Sequence, residues 1–394
     1  MDLVSIADIQ AAAQRIGPHV VRTPLLTNGA IDDIVSQALS PPDAPRLKIR
    51  MAFKAEHLQV VGAFKSRGAA NAIQLKLKES KESNSRFEPK RLCVLTHSSG
   101  NHGAALACQA KNAGVQALVV MPEDAPKVKK QNVASYGARI MYCKPTQDAR
   151  EAMAAEARAQ LEKEGLVVEF IPPYDDPAII AGQGTMGKEM MEQAAGLETR
   201  AGCSHAAQAG QSSSGVNTAW PPRPPHDAPP FDIIIAPVGG GGMLSGVATA
   251  VKSMDPRVLV VGAEPAGADD AQRSFTTGIL QPSVTPTRTI CDGLLTSLSQ
   301  RTLAHIEEHV DLIATAPDSA VVWALNVITD KTKQLVEPNA AIGLATLLDN
   351  EELQALVRRV AVLRANEDDR SVRIGVVWSG GNTTIQTLAR YLSQ

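Results

Sequence analysis

The sequence predicts an α/β protein of two lobes, each a parallel sheet flanked by helices, and three observations predict it. Between Arg91 and Ile171, short apolar runs alternate with helical stretches in a βαβαβαβ order, the pattern of a parallel sheet with right-handed crossovers. A second set of such runs occupies 231–262 and 374–378. The composition is 44% apolar but only 3% aromatic, so the core must be aliphatic and Ala-rich, which suits helices covering a buried sheet. With 394 residues, the chain has the length of one large α/β domain or two of ordinary size.

In chain order, 92–96 reads as a buried strand and 103–113 as a helix with Ala and Leu inward. Then come strand 116–121, a Lys-rich helix 125–136, strand 138–143, helix 147–163 and strand 166–171. In the second set, strand 231–236 is followed by helix 243–253 and strand 258–262, and strand 374–378 closes the pattern. The smaller lobe, 93–171, is read as an insertion into a larger one formed by 1–92 and 172–394. Three segments read as loop insertions: the Pro-rich 36–46, the Ser/Lys/Glu run 78–90, and 201–230. The last has six prolines and a Ser212-Ser213-Ser214 run, and is expected to be disordered because it cannot bury enough apolar surface.

The formal net charge of −2, with no basic stripe, argues against a nucleic-acid partner. No run approaches 18 apolar residues, so no membrane span is expected, and the acidic N-terminus lacks the apolar core of a secretion signal. Five scattered cysteines without CxxC spacing read as reduced thiols, so a cytoplasmic location is expected.

Four motifs carry chemistry. In Gly62-Ala63-Phe64-Lys65-Ser66, a lysine stands before an Ala-rich helix, as a carbonyl cofactor held as a Schiff base requires; a surface lysine is the plainer alternative. Strand 92–96 runs into His97-Ser98-Ser99-Gly100-Asn101-His102-Gly103, more small polar residues than an N-cap needs, which points to a carboxylate-binding loop. Strand 231–236 runs into Gly239-Gly240-Gly241-Gly242-Met243, whose free backbone amides suit a phosphate. It is neither a GxGxxG fingerprint nor a P-loop. Strand 374–378 ends in Ser379-Gly380-Gly381-Asn382. In parallel sheets ligands bind at the carboxyl ends of strands, so the four motifs are expected to share one rim.

The ordered set KxExxQxxGxFK (from Lys54), SSGNHG, GGGGMLSG and SGGN resembles the fold-type II pyridoxal phosphate enzymes, in the serine racemase and serine/threonine dehydratase branch. The resemblance spans about 9–392, and Gly182-Gln183-Gly184-Thr185 and Glu337-Pro338 share in it. It implies a tryptophan synthase β-like fold and pyridoxal 5'-phosphate as cofactor. Lys65 would carry the Schiff base, with Phe64 beneath the ring, Asn101 on the phenolic oxygen, Gly239 to Met243 on the phosphate and Ser379 at the pyridine nitrogen. Ser98, Ser99, Asn101 and His102 would hold the substrate carboxylate. Lys65 would remove the α-proton, loss of the β-hydroxyl would give a keto acid and ammonia, and Ser99 on the opposite face would return a proton in racemisation.

The resemblance also implies a Mg²⁺ (or Ca²⁺, Mn²⁺) site at Glu264, Asp270 and the carbonyl of Ala268; an acidic loop capping the next helix is the alternative. Arg150 matches a branch arginine that could accept a β-carboxylate, which keeps threo-3-hydroxyaspartate open beside serine and threonine; a solvated arginine is the plainer reading. Thr296 lies in a second loop expected to touch substrate. A small amino-acid substrate, a homodimer and a nucleotide effector are implied as well. The chain departs from the branch in Trp378, where a smaller aliphatic is usual, and in Asn339, where threonine or serine is common. The loops SSGNHG and GGGGM differ from those of β-replacement enzymes and favour elimination. With twelve residues after Asn382, the regulatory domain of biosynthetic threonine deaminases is not expected. A non-catalytic amino-acid-binding relative is the rival from another class, and Lys65 counts against it.

Overall fold

The computed structural model describes residues 2–43, 45–83, 87–98, 100–125, 127–196, 216–217, 228–364 and 371–392. Its strands, in chain order, are β1 (Leu25–Asn28), β2 (Lys48–Ala55), β3 (Leu92–His97), β4 (Gln116–Pro122), β5 (Arg139–Cys143), β6 (Val167–Phe170), β7 (Val216–Asn217), β8 (Ile233–Pro237), β9 (Leu259–Pro265), β10 (Leu312–Ala316) and β11 (Ser371–Trp378). Among the described residues they form a seven-stranded sheet, β10-β9-β8-β11-β2-β1-β7, and a four-stranded sheet, β5-β4-β3-β6. The small sheet is parallel throughout, and in the large one only β1 pairs antiparallel, with β2 and β7. This is the α/β architecture of two helix-flanked parallel sheets that the sequence predicts.

The strand order places the ligand crevice. In the small sheet β3 leads outward to β4 and β5, whereas β6 lies on the other side of β3; in the large sheet β8 leads to β9 and β10, with β11 on its other side. At such a reversal the loops leaving neighbouring strands diverge and open a cleft at their carboxyl ends. The loops after β3 and β6, and those after β8 and β11, all line one cavity.

The cores follow the apolar runs. Phe53, Ile235, Ile374 and Trp378 are buried on one face of the large sheet, and Ala52, Ile234 and Val377 on the other. Trp378 stacks on Phe53 at 4.3 Å between ring centroids, so its bulk is taken up inside the sheet's core. Three helices, α3 (Lys65–Ser83), α7 (Pro177–Ala194) and α8 (Gly242–Met254), cross closely because glycines stand at their contacts. A Cβ on Gly182 would lie 2.6 Å from the Gly68 Cα, which gives the Gly182–Thr185 motif a packing role.

Two of the expected loops begin as helix, over 36–39 and 78–83. Helix α2 (Gly29–Leu39) runs through Ser36 to Leu39, capped by Asn28, because Ile31, Val35 and Leu39 form one buried stripe at four-residue spacing. Helix α3 continues to Ser83 because its Lys/Glu tail is a good helix former with an i,i+4 pair between Lys78 and Glu82. Of 201–230, the described residues are 216–217, which pair with β1, and 228–230; the rest of that expected insertion lies outside the described residues. No helix among the described residues is long and apolar enough to cross a membrane.

Candidate active site

Lys65 opens α3, at the floor of a cavity of about 490 Å³. That is the size of an ordinary small-molecule site. Its Nζ donates to the Pro173 carbonyl oxygen at 2.8 Å and lies 5.1 Å from the Phe64 ring centroid. Burial pushes the amine down to about 8, since desolvation disfavours the ammonium and no carboxylate compensates. About a tenth is therefore free amine at pH 7, far more than for an ordinary lysine, and this is the form that adds to a carbonyl or takes a proton.

Across the cavity, Gly239, Gly240, Gly241, Gly242 and Met243 turn from β8 into α8. Gly241 has φ +84°, and a Cβ on Gly240 would meet the Tyr174 ring at 2.5 Å, so larger residues would fill the cradle. Exposed amides at a helix N-terminus fit a phosphate, and Lys65 lines the same cavity. Ser379 leaves β11 at the cavity edge, and its carbonyl accepts the Phe64 N–H at 3.0 Å, which fixes the segment before Lys65.

The loop after β3 is internally braced: the Ser98 hydroxyl accepts from the amides of Gly100 (3.2 Å) and Gly103 (3.1 Å). Asn101 begins α4 (Asn101–Ala113). Its Nδ2 donates to Glu337 at 2.9 Å and its Oδ1 accepts from Asn382 at 2.9 Å, which leaves one N–H for a ligand. The ring of His102 is buried, and burial followed by the nearby Lys65 charge pushes it down to about 3. Its Nε2 lies 3.3 Å from the Ile171 carbonyl, so a neutral His102 offers a ligand an acceptor rather than a charge. Ser99 lies outside the described residues.

Arg150, in the first turn of α6 (Gln147–Lys163), lines the same cavity, and its Nε is buried without a hydrogen-bond partner among the described residues. Thr296 lines the cavity too. Glu264 and Asp270 do not line it; they sit at the end of β9 and the start of α9 (Asp270–Thr277), with Ala268 buried between them. The Glu264 carboxylate accepts the Ala271 and Gln272 amides at 2.8 Å each, yet burial raises it to about 8. Both Asp270 oxygens are buried without a hydrogen-bond partner among the described residues, and burial raises that group to about 6. A hard cation would relieve the desolvation of both carboxyls, but among the described residues no group of three or more His, Cys, Asp or Glu side chains is gathered there.

Sequence reasoning did not reach several of the lining groups. The Pro173 carbonyl and Tyr174 belong to the loop after β6, where only the strand was legible. Lys129 pairs with Asp292 across the cavity mouth, and nothing marked it within its Lys-rich helix. Glu337 stood out as a motif residue, but its partnership with Asn101 is tertiary.

The chain is similar to known proteins over most of its length. The family model for the pyridoxal-phosphate dependent enzyme matches residues 18–364. The chain is 34% identical to the β-hydroxyaspartate dehydratase of Paracoccus denitrificans, over 98% of this chain and 99% of that protein. It is also 34% identical to the serine racemase of Dictyostelium discoideum, over 100% and 99% respectively. Among solved structures, that of maize serine racemase superposes with a TM-score of 0.75 at 31% identity, covering 100% of this chain and 98% of that one.

Proposed function

We propose, from the premise that this chain belongs to the pyridoxal-phosphate dependent enzyme family, that it is an ammonia-lyase for serine and threonine with serine racemase activity. The observation that carries the reading is the buried Lys65 amine, lowered to about 8, in one cavity with the glycine cradle of α8. Bound through Lys65, pyridoxal phosphate supplies the electron sink that lets an amino acid give up its α-proton.

The chain's own residues do the rest. The amides of Gly239 to Met243 would hold the phosphate, and Asn101 and Ser379 would hold the ring's polar edges. The amides of the loop after β3 receive the substrate carboxylate, with Ser98 bracing the loop. The substrate's amine would displace Lys65 from the cofactor, and the freed Lys65 amine would take the α-proton. The β-hydroxyl then leaves as water, and hydrolysis of the enamine gives a keto acid and ammonia. In racemisation Ser99 returns a proton from the opposite face.

A second reading, threo-3-hydroxyaspartate as substrate, rests on Arg150, which lines the cavity and whose Nε is buried without a hydrogen-bond partner among the described residues. A guanidinium there matches a β-carboxylate. Keto acid formation from serine, threonine and both threo-3-hydroxyaspartates separates the two readings. If hydroxyaspartate is preferred, Arg150→Ala lowers its kcat/KM by about a hundredfold and leaves serine turnover nearly unchanged. An equal loss on both substrates would remove the β-carboxylate role.

Glu264, Asp270 and the Ala268 carbonyl fit a divalent cation as a structural site. Mg²⁺ is expected to raise the thermal midpoint of the wild type by several degrees, and EDTA to reverse it, with no response in Asp270→Asn. An equal shift in that variant would place the cation elsewhere. A homodimer, which the resemblance implies, and a cytoplasmic location, which the scattered cysteines suggest, complete the proposal.

A further inference from the structure

The loop after Cys291 and the residue at the cofactor's edge are joined by one side chain, Asn339. It sits at the second position of α12 (Pro338–Asp349) and is 5% exposed. Its Oδ1 accepts the Gly293 amide at 3.0 Å, and its Nδ2 donates to both Asp292 Oδ1 and Glu337 Oε2, each at 3.2 Å. The amide's one acceptor and two donors are thus all engaged.

Each end of this bridge reaches the cavity. Asp292 pairs with Lys129, and both line the cavity with Gly293, Leu294 and Thr296. Glu337 takes the Asn101 amide at 2.9 Å, and so sets which N–H of Asn101 remains for the cofactor. The backbone is shaped to admit the bridge. A Cβ on Gly293 would lie 2.8 Å from Asn339 Nδ2, and one on Gly380 would collide with Glu337 Oε1. Threonine or serine at 339 has a single O–H to donate, and so would hold only one of the two carboxylates.

We propose that Asn339 is a positioning residue that ties the Asp292–Ser297 wall of the cavity, through Glu337, to Asn101, so that the substrate and cofactor sides of the site are set together. This rests on the reading given under Proposed function. Asn339 lines the same cavity, but its amide atoms are engaged by Gly293, Asp292 and Glu337, so it acts by positioning those partners.

The test compares wild type, Asn339→Thr and Asn339→Ala. It measures kcat and KM on the best β-hydroxy amino acid, pyridoxal phosphate affinity by titration of apoprotein, and the thermal midpoint of the apoprotein. Asn339→Ala is expected to raise KM by about tenfold and weaken cofactor binding by about fivefold, with Asn339→Thr between it and the wild type. The proposal is overturned if KM and cofactor affinity both stay within about twofold of wild type, whether or not the apoprotein is destabilised. If the wild type binds cofactor but turns over none of the substrates, the functional reading fails. The cofactor titration then decides Asn339 alone: weakening in Asn339→Ala supports it and equality overturns it.

Discussion

Lys65→Ala is expected to lower keto acid formation by about 10³-fold or more, because the base that takes the α-proton is removed. It should also abolish the visible absorption of cofactor attached to the protein, since Lys129, the other lysine among the described residues that lines the cavity, is paired with Asp292. Folding should survive, because the substitution removes one hydrogen bond, to Pro173 at 2.8 Å, together with a buried amine that no carboxylate neutralises. The same amine gives the site a pH dependence. Below about 8 Lys65 is increasingly the ammonium, so uptake of pyridoxal phosphate by apoprotein should quicken as pH rises through that value. Retention of the absorption in Lys65→Ala, or an inflection at the ordinary lysine value, would remove Lys65 from the role.

Arg67→Ala is expected to destabilise the apoprotein by about 3–5 kcal/mol, the cost of leaving buried charges unpaired. Arg67 lies two residues beyond Lys65 and is fully buried. It donates to Glu56 through Nε and Nη2 and to Glu189 through Nη1 and Nη2, all at 2.8 Å. Lys54 joins the cluster at 2.6 Å from Glu189. Burial works to raise the Glu56 and Glu189 carboxyls, but the Arg67 guanidinium outweighs it and both lie below the ordinary carboxylate value. Groups so lowered stabilise the fold above the unfolded-state pKa and lose that contribution as pH falls through the folded-state value. The variant should therefore lose most of its stability near neutral pH and resemble the wild type more closely in acid. Urea unfolding at neutral and acid pH checks this, and a loss below about 1 kcal/mol would show that the cluster is not the anchor of this segment.

The motif carrying Lys65 was legible, as were the strand-to-glycine transitions, because buried strands and glycine runs leave strong local signals. The contacts that complete the site were not. Lys65 meets Pro173 across 108 residues, Asn101 meets Glu337 across 236, and Lys129 meets Asp292 across 163, and no local pattern encodes such pairs. Misreadings came from composition: Pro41-Pro42 drew the preceding 36–39 into an expected loop, although the stripe from Ile31 to Leu39 was already helical. Likewise the Lys/Glu run at the end of α3 reads as loop by polarity but as helix by propensity. The expectation for 201–230 was compositional too, and nearly all of it falls outside the described residues.

The most direct test of the central claim is the turnover of L-serine by purified protein loaded with pyridoxal phosphate, following pyruvate, ammonia and D-serine together. The account predicts pyruvate and ammonia in equal amounts, accompanied by D-serine, with all three absent in Lys65→Ala. Protein that binds the cofactor through Lys65 yet releases neither keto acid nor the other enantiomer from serine, threonine or hydroxyaspartate would contradict it, and would leave an amino-acid-binding relative that has kept the fold.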